Sequence, residues 1–202
     1  MIQKSVETGG RETLRITVSE KGRFPCAELF GRGVRLGVRA GGSVRKLLCG
    51  QLGVAESYLD ERIQTVFVNG RAVDDVNQSR VDVGDVLSLS AAMPGLVGAT
   101  LRRGGHLAVL RKNISYAGSD AGDAQNSGTV TLKLFNMVAR ELGPRLLEHG
   151  VIAAGRDLSG PLKAAEPHVT AVERSGAPAS MAELSDLLDS DREVLLRVEA
   201  SR

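Results

Sequence analysis

The 202-residue chain is poor in aromatic residues, which make up 3% of it with no tryptophan. That scarcity argues against the stacking platforms on which readers of single-stranded nucleic acid lay their bases, and against sugar-binding surfaces made of tryptophan. Two cysteines cannot build a disulfide framework, and a reducing compartment is the simpler assumption. The three histidines, His106, His149 and His168, lie far apart with no histidine, cysteine or carboxylate at metal-ligand spacing, so neither a metal site nor a cofactor is expected. No apolar run approaches the length that spans a bilayer, and Met1–Gly10 lacks the apolar stretch of a signal peptide. A cytoplasmic protein without a membrane partner is the resulting expectation. Gly31–Gly42 is rich in glycine and arginine but has no Gly-Lys-Ser/Thr ending, so it is not a nucleotide loop. No nucleophile, base and orienting group stand together, and no enzyme is expected.

Glycine is abundant, with 24 residues, and suggests many tight turns. Charge is unevenly spread. Residues 1–119 hold 17 basic and 11 acidic side chains, whereas residues 120–202 hold 9 basic and 13 acidic. Two stretches contain no carboxylate. Leu29–Ala55 carries Arg32, Arg35, Arg39, Arg45 and Lys46, and Val86–Ser119 carries Arg102, Arg103, Arg111 and Lys112. From these, Arg35, Arg39, Arg45, Lys46, Arg102, Arg103, Arg111 and Lys112 form the candidate interaction set, suited to an anion or an acidic partner. A solvated basic face is the plainer alternative.

Ala117–Gly128 (AGSDAGDAQNSG) is small and polar throughout and reads as a linker or mobile loop. It divides residues 1–116 from a smaller α/β segment at 129–202. In the first part, Leu14, Ile16 and Val18 alternate with other residues, as do Val34, Leu36 and Val38, which predicts two half-buried strands, paired with each other ahead of the helix. Gly41-Gly42 ends the second, and Ser43 is a good N-cap for a helix carrying Val44, Leu47, Leu48 and Leu52, closed by Gly53. Cys49 on that helix reads as a small core residue, and Cys26 could meet it in space. Thr65–Val68 is a short strand, Asn69-Gly70 a hairpin turn returning through Arg71–Val73, Asp82–Asp85 a turn, and Val86–Ser90 the last strand. The order suits an α+β domain in which one helix crosses a mixed sheet. In the second part, Phe135, Val138, Ala139 and Leu142 predict a helix within Thr129–Leu147, kinked or interrupted at Gly143-Pro144. His168–Arg174 and Glu193–Glu199 read as strands, and Ser180 with Glu183 as a capping box.

This layout, with VFVNGRAVDD, VDVGDVLSLS and then AAMPGLVG, resembles the β-grasp (ubiquitin-like) sulfur carriers of the ThiS and MoaD type over roughly Arg11–Gly98. The resemblance implies a β-grasp fold and, in a working carrier, a Pro-containing tail ending in Gly-Gly whose carboxylate is activated. Here Met93-Pro94-Gly95-Leu96-Val97-Gly98 stands in the tail's place and another 104 residues follow. A carrier role would therefore need cleavage after Gly98, or after Gly105 in Gly104-Gly105. A turn at Gly104-Gly105 between strands Ala99–Arg103 and His106–Arg111 accounts for the same glycines, with Arg102, Arg103, Arg111 and Lys112 lining an edge beside Arg35 and Arg39. The leading expectation is a non-enzymatic β-grasp protein acting through a protein partner or self-assembly. Ser43–Ser90 also resembles an S4-type RNA-binding module, with a second helical stretch at Ala55–Arg62. That resemblance implies phosphate contacts from Arg45, Lys46 and Arg62.

Overall fold

A computed structural model describes residues 10–107, 111 and 126–201. In chain order the first half contains β1 (Glu12–Val18), α1 (Arg23–Ala27), α2 (Leu29–Arg32), β2 (Val34–Ala40), β3 (Gly42–Ser43), a π-helix (Lys46–Gln51) and α3 (Glu56–Glu61). Next come β4 (Thr65–Val68), β5 (Arg71–Ala72), β6 (Arg80–Val81), β7 (Val86–Ser90) and α4 (Gly95–Leu101). The second half contains β8 (Asn126–Leu134), α5 (Asn136–His149), β9 (Val151–Ala154), α6 (Gly155–Ala165), β10 (Val169–Arg174), β11 (Ala177–Pro178), α7 (Ser185–Leu188) and β12 (Glu193–Ala200). The architecture is mixed α/β, and its strand pairings are both parallel and antiparallel. Among the described residues no helix is long and apolar enough to cross a membrane.

Two compact units emerge, and the chain passes between them inside β2 and again inside α5. The first, formed by Gly37–Val138, orders its strands as the second half of β2, then β8, β7, β4 and β5. β7 and β8 pair in parallel, with Leu87 opposite Leu132 and Leu89 opposite Leu134. Successive strand side chains point to opposite faces, so Val130, Leu132 and Leu134 of β8 join Leu87, Leu89, Val66 and Val68 on one buried face. The predicted helix after Ser43 forms and buries Val44, Leu47 and Leu48. Ser43 accepts a hydrogen bond from the Lys46 N–H at 3.3 Å, as an N-cap does. Beyond Arg45 that helix widens to π, with the Leu52 N–H donating to the Leu47 carbonyl at 3.1 Å. The Asn69-Gly70 turn forms as expected, with φ of 51° and 77°, and joins β4 antiparallel to β5.

In the second unit, residues 5–36 and 139–202, the strand order is β11, β10, β1, β12, β9 and the first half of β2. β1 runs parallel to β12 and antiparallel to β10. Leu14, Ile16, Val18, Leu196 and Val198 are buried on this sheet together with Leu147, Leu158 and Leu162 of the helices. The capping box is present: the Ser180 N–H donates to the Glu183 carboxylate at 2.6 Å and the Glu183 N–H donates back to Ser180 Oγ at 3.4 Å.

Several expectations are corrected. Strands β1 and β2 both form, but they are not a pair, because β1 is held on both sides by β10 and β12. The N-terminal strand thus groups with Ala139–Arg202, in a unit that also holds the chain up to Leu36, and not with Gly37–Val138. Thr129–Leu134 is strand, not helix, because its apolar residues alternate, and the helix starts only at Asn136. It is not interrupted at Gly143-Pro144 but runs through to His149, and Gly143 lets it approach α1, since an added Cβ would lie 2.8 Å from Ala27 Cβ. Ala99–Leu101 belongs to α4, and residues 102–107 and 111 are turn and 3₁₀ backbone, so the described part of the expected hairpin forms no strand. Asn126–Gly128 of the expected linker belongs to β8. Residues 108–110, Lys112 and the part of the expected linker before Asn126 lie outside the described residues.

Candidate functional site

The β4–β5 hairpin delivers Asp74–Asn77 to one side of the first unit, and Asp75 shapes the turn by accepting the Asn77 N–H at 2.7 Å and the Gln78 N–H at 3.3 Å through Oδ1. Arg45 reaches the same place from the start of the crossing helix. Its Nε donates to Asn77 Oδ1 at 2.8 Å, while Nη1 and Nη2 donate to Asp60 at 3.2 and 2.5 Å and Nη1 also to Glu56 at 3.2 Å. This fork holds the Asp60 carboxyl below the usual carboxylate range and raises the arginine.

Arg103 enters from beyond α4. Its N–H donates to the Gln64 carbonyl at 2.8 Å, and its Nη2 donates to the Leu59 carbonyl at 3.0 Å and lies 3.8 Å from Asp60. Burial pulls this guanidinium below its ordinary value, a loss that Asp60 partly offsets. Arg111, buried at 4% exposure, donates to both Asp74 oxygens at 3.1 and 2.5 Å and to the Thr100 carbonyl at 2.6 Å. It thereby satisfies a carbonyl of the last turn of α4 while pairing with the turn after β5. Between these groups lies an open cleft of about 410 Å³, lined by Arg45, Asp60, Asp74, Asp75, Val76, Asn77 and Arg103.

Three members of the candidate basic set, Arg45, Arg103 and Arg111, are thus brought together, as arms of an ion-pair network rather than as a free basic edge. The others are not part of it. Arg35 lies in the second unit, paired with Glu193. Arg39 is clasped through its backbone, its N–H donating to Gln51 Oε1 and its carbonyl accepting from Gln51 Nε2, both at 2.8 Å. Lys46, Arg62 and Arg102 are exposed. The acidic partners were missed. Asp74-Asp75 reads in sequence as a solvated loop, and only the spatial return of Arg111 gives Asp74 a partner.

The segment after β7 is a short helix. Gly98 is buried in α4, and an added Cβ there would sit 2.0 Å from the Met93 carbonyl oxygen. Gly104, at φ 63°, makes the next turn, and the Gly105 N–H donates to the Arg102 carbonyl at 3.2 Å. Leu96 and Val97 of the same helix are 72% and 71% exposed. Both cysteines are free. Cys26 is buried, and burial pushes its thiol up to about 12, whereas Cys49 is half-buried with a thiol raised for the same reason. Among the described residues no group of histidine, cysteine and carboxylate side chains could hold a metal ion. Comparison with protein-family models, curated proteins and solved structures finds no match to this chain.

Proposed function

We propose that the protein is a non-enzymatic β-grasp protein that acts by contacting a protein partner or a second copy of itself. A parallel pair at β7 and β8 inside the order β2, β8, β7, β4, β5, with a helix crossing between β2 and β4, supports a β-grasp reading of the first unit. In that reading β8 takes the place expected for Leu14–Val18, so the fold's first strand comes late in the chain.

The observation that carries the binding role is α4. Where a sulfur carrier would extend a free tail, this chain folds a helix anchored through Arg103 and Arg111 and presents Leu96 and Val97 to solvent. Two adjacent large aliphatic side chains on a fixed backbone can dock with little ordering cost. Arg45, which the RNA-binding reading needs for phosphate, is already forked onto Asp60.

A photo-crosslinking residue at position 96 or 97, compared with one at exposed Lys163, tests the role in the protein's native cells. Discrete protein adducts from 96 and 97 but not from 163 are expected. No adduct, or the same adducts from all three positions, would refute the reading. Intact-mass measurement of the same preparation separates it from the carrier alternative, which requires a chain ending at Gly98 or Gly105.

A further inference from the structure

The cleft beside Arg45 contains a charge pattern that the ion pairs do not use up. Arg45 is committed to Asp60, and Arg111 to Asp74. Two lining groups of opposite sign are left with spare capacity. Arg103 turns Nη2 to the Leu59 carbonyl at 3.0 Å with Asp60 3.8 Å away, and among the described residues its Nε and Nη1 donate no hydrogen bond. Asp75 spends Oδ1 on two backbone N–H groups and keeps Oδ2. Both line the same cleft, and Asp75 acts on the Arg103 charge without a hydrogen bond between them. Asn77 adds a side-chain NH₂ whose oxygen is already taken by Arg45.

We infer that this cleft binds a small zwitterion of the α-amino-acid class. The carboxylate is taken by Arg103 and the Asn77 amide, and the ammonium by Asp75. A simple anion would meet Asp60, Asp74 and Asp75 at close range, and a simple cation would meet Arg45 and Arg103. Only a ligand carrying both charges is attracted at both ends without repulsion at one of them. About 410 Å³ lies within the range of small-molecule sites.

The test uses the full chain and three probes: L-alanine, N-acetyl-L-alanine as the anion alone, and L-alaninamide as the cation alone. Titration is followed by the backbone amide shifts of Val76 and Asn77. L-Alanine is expected to saturate the shifts at a concentration about tenfold or more below either half-ligand, each lost charge contact weakening binding by at least that factor. Arg103→Gln and Asp75→Asn, the second of which keeps the turn's acceptor, are each expected to bring L-alanine down to half-ligand affinity. No saturable shift with L-alanine, or a half-ligand binding as well as L-alanine, would overturn the inference. The wild-type titrations decide this even if a variant fails to fold.

Discussion

Asn69 offers a clean dissection of one turn that also positions the cleft, because the chain runs from it through β5 to Asp74–Asn77. Its backbone sits at φ 51°, in the left-handed region. Its Nδ2 donates to Asp85 Oδ1 at 2.7 Å, and its Oδ1 accepts from the Val86 N–H at 2.9 Å, so one side chain ties the hairpin turn to the turn before β7. Asn69→Gly keeps the conformation and loses both bonds. Each is exposed and open to water afterwards, so the loss is about 1–2 kcal/mol for the two together. Asn69→Ala loses the same bonds and also places a Cβ in left-handed backbone that alanine disfavours, adding roughly 1 kcal/mol. The alanine variant should therefore fall below the glycine variant, and both below wild type. Urea midpoints measured with unchanged slope give the three stabilities, and amide exchange at Val86 reports the local opening. Equal midpoints for Ala and Gly would refute the strain argument. Both variants matching wild type would refute the claim that the two side-chain bonds matter.

Gly98→Ala should open α4, because the new methyl would lie 2.0 Å from a backbone oxygen that cannot swing aside. The expected cost is roughly 1–3 kcal/mol, read as faster amide exchange at Thr100 and Arg103, and unchanged exchange there would count against the packing. Acid should weaken the first unit through Asp60. Its folded pKa lies below its unfolded value because Arg45 hydrogen-bonds the charged form, so the contribution is present above the ordinary carboxylate range and is lost as pH falls through the lowered folded value. Arg45→Gln should flatten that acid limb in urea midpoints taken from about pH 7 downward, and a limb of unchanged steepness would remove Asp60 as its source.

Local signals in the sequence translated well where a turn or a cap has only one good solution. Asn69-Gly70, Gly41, Ser43 and the Ser180–Glu183 box are all where residue chemistry placed them, because positive φ and orphan N–H groups at a helix start are satisfied within a few residues. Strand existence was equally legible from alternation, as at Leu14–Val18, Val34–Val38 and Glu193–Glu199. The helical face of Val138, Ala139 and Leu142 lies in α5 as its spacing indicates, whereas the alternation of Val130, Leu132 and Leu134 just before it, which marks β8, was not read as a strand.

Partnership is what the sequence did not contain. Nothing in Glu12–Val18 says that its neighbours are β10 and β12, more than 150 residues away along the chain, and nothing in β8 says that it lies parallel to β7. A strand carries one apolar face whichever sheet receives it, so alternation fixes the face and leaves the neighbour open. The same reasoning explains the cleft. Arginines without nearby carboxylates in sequence read as a free basic surface, yet folding brings Asp60 to Arg45 and Asp74 to Arg111 across 15 and 37 residues. A carboxylate-free stretch predicts an unneutralised surface only when its partners must be local. Here the charges are matched over distance, and what is left over, Arg103 and Asp75 lining one cleft, becomes visible only after those pairs are set aside.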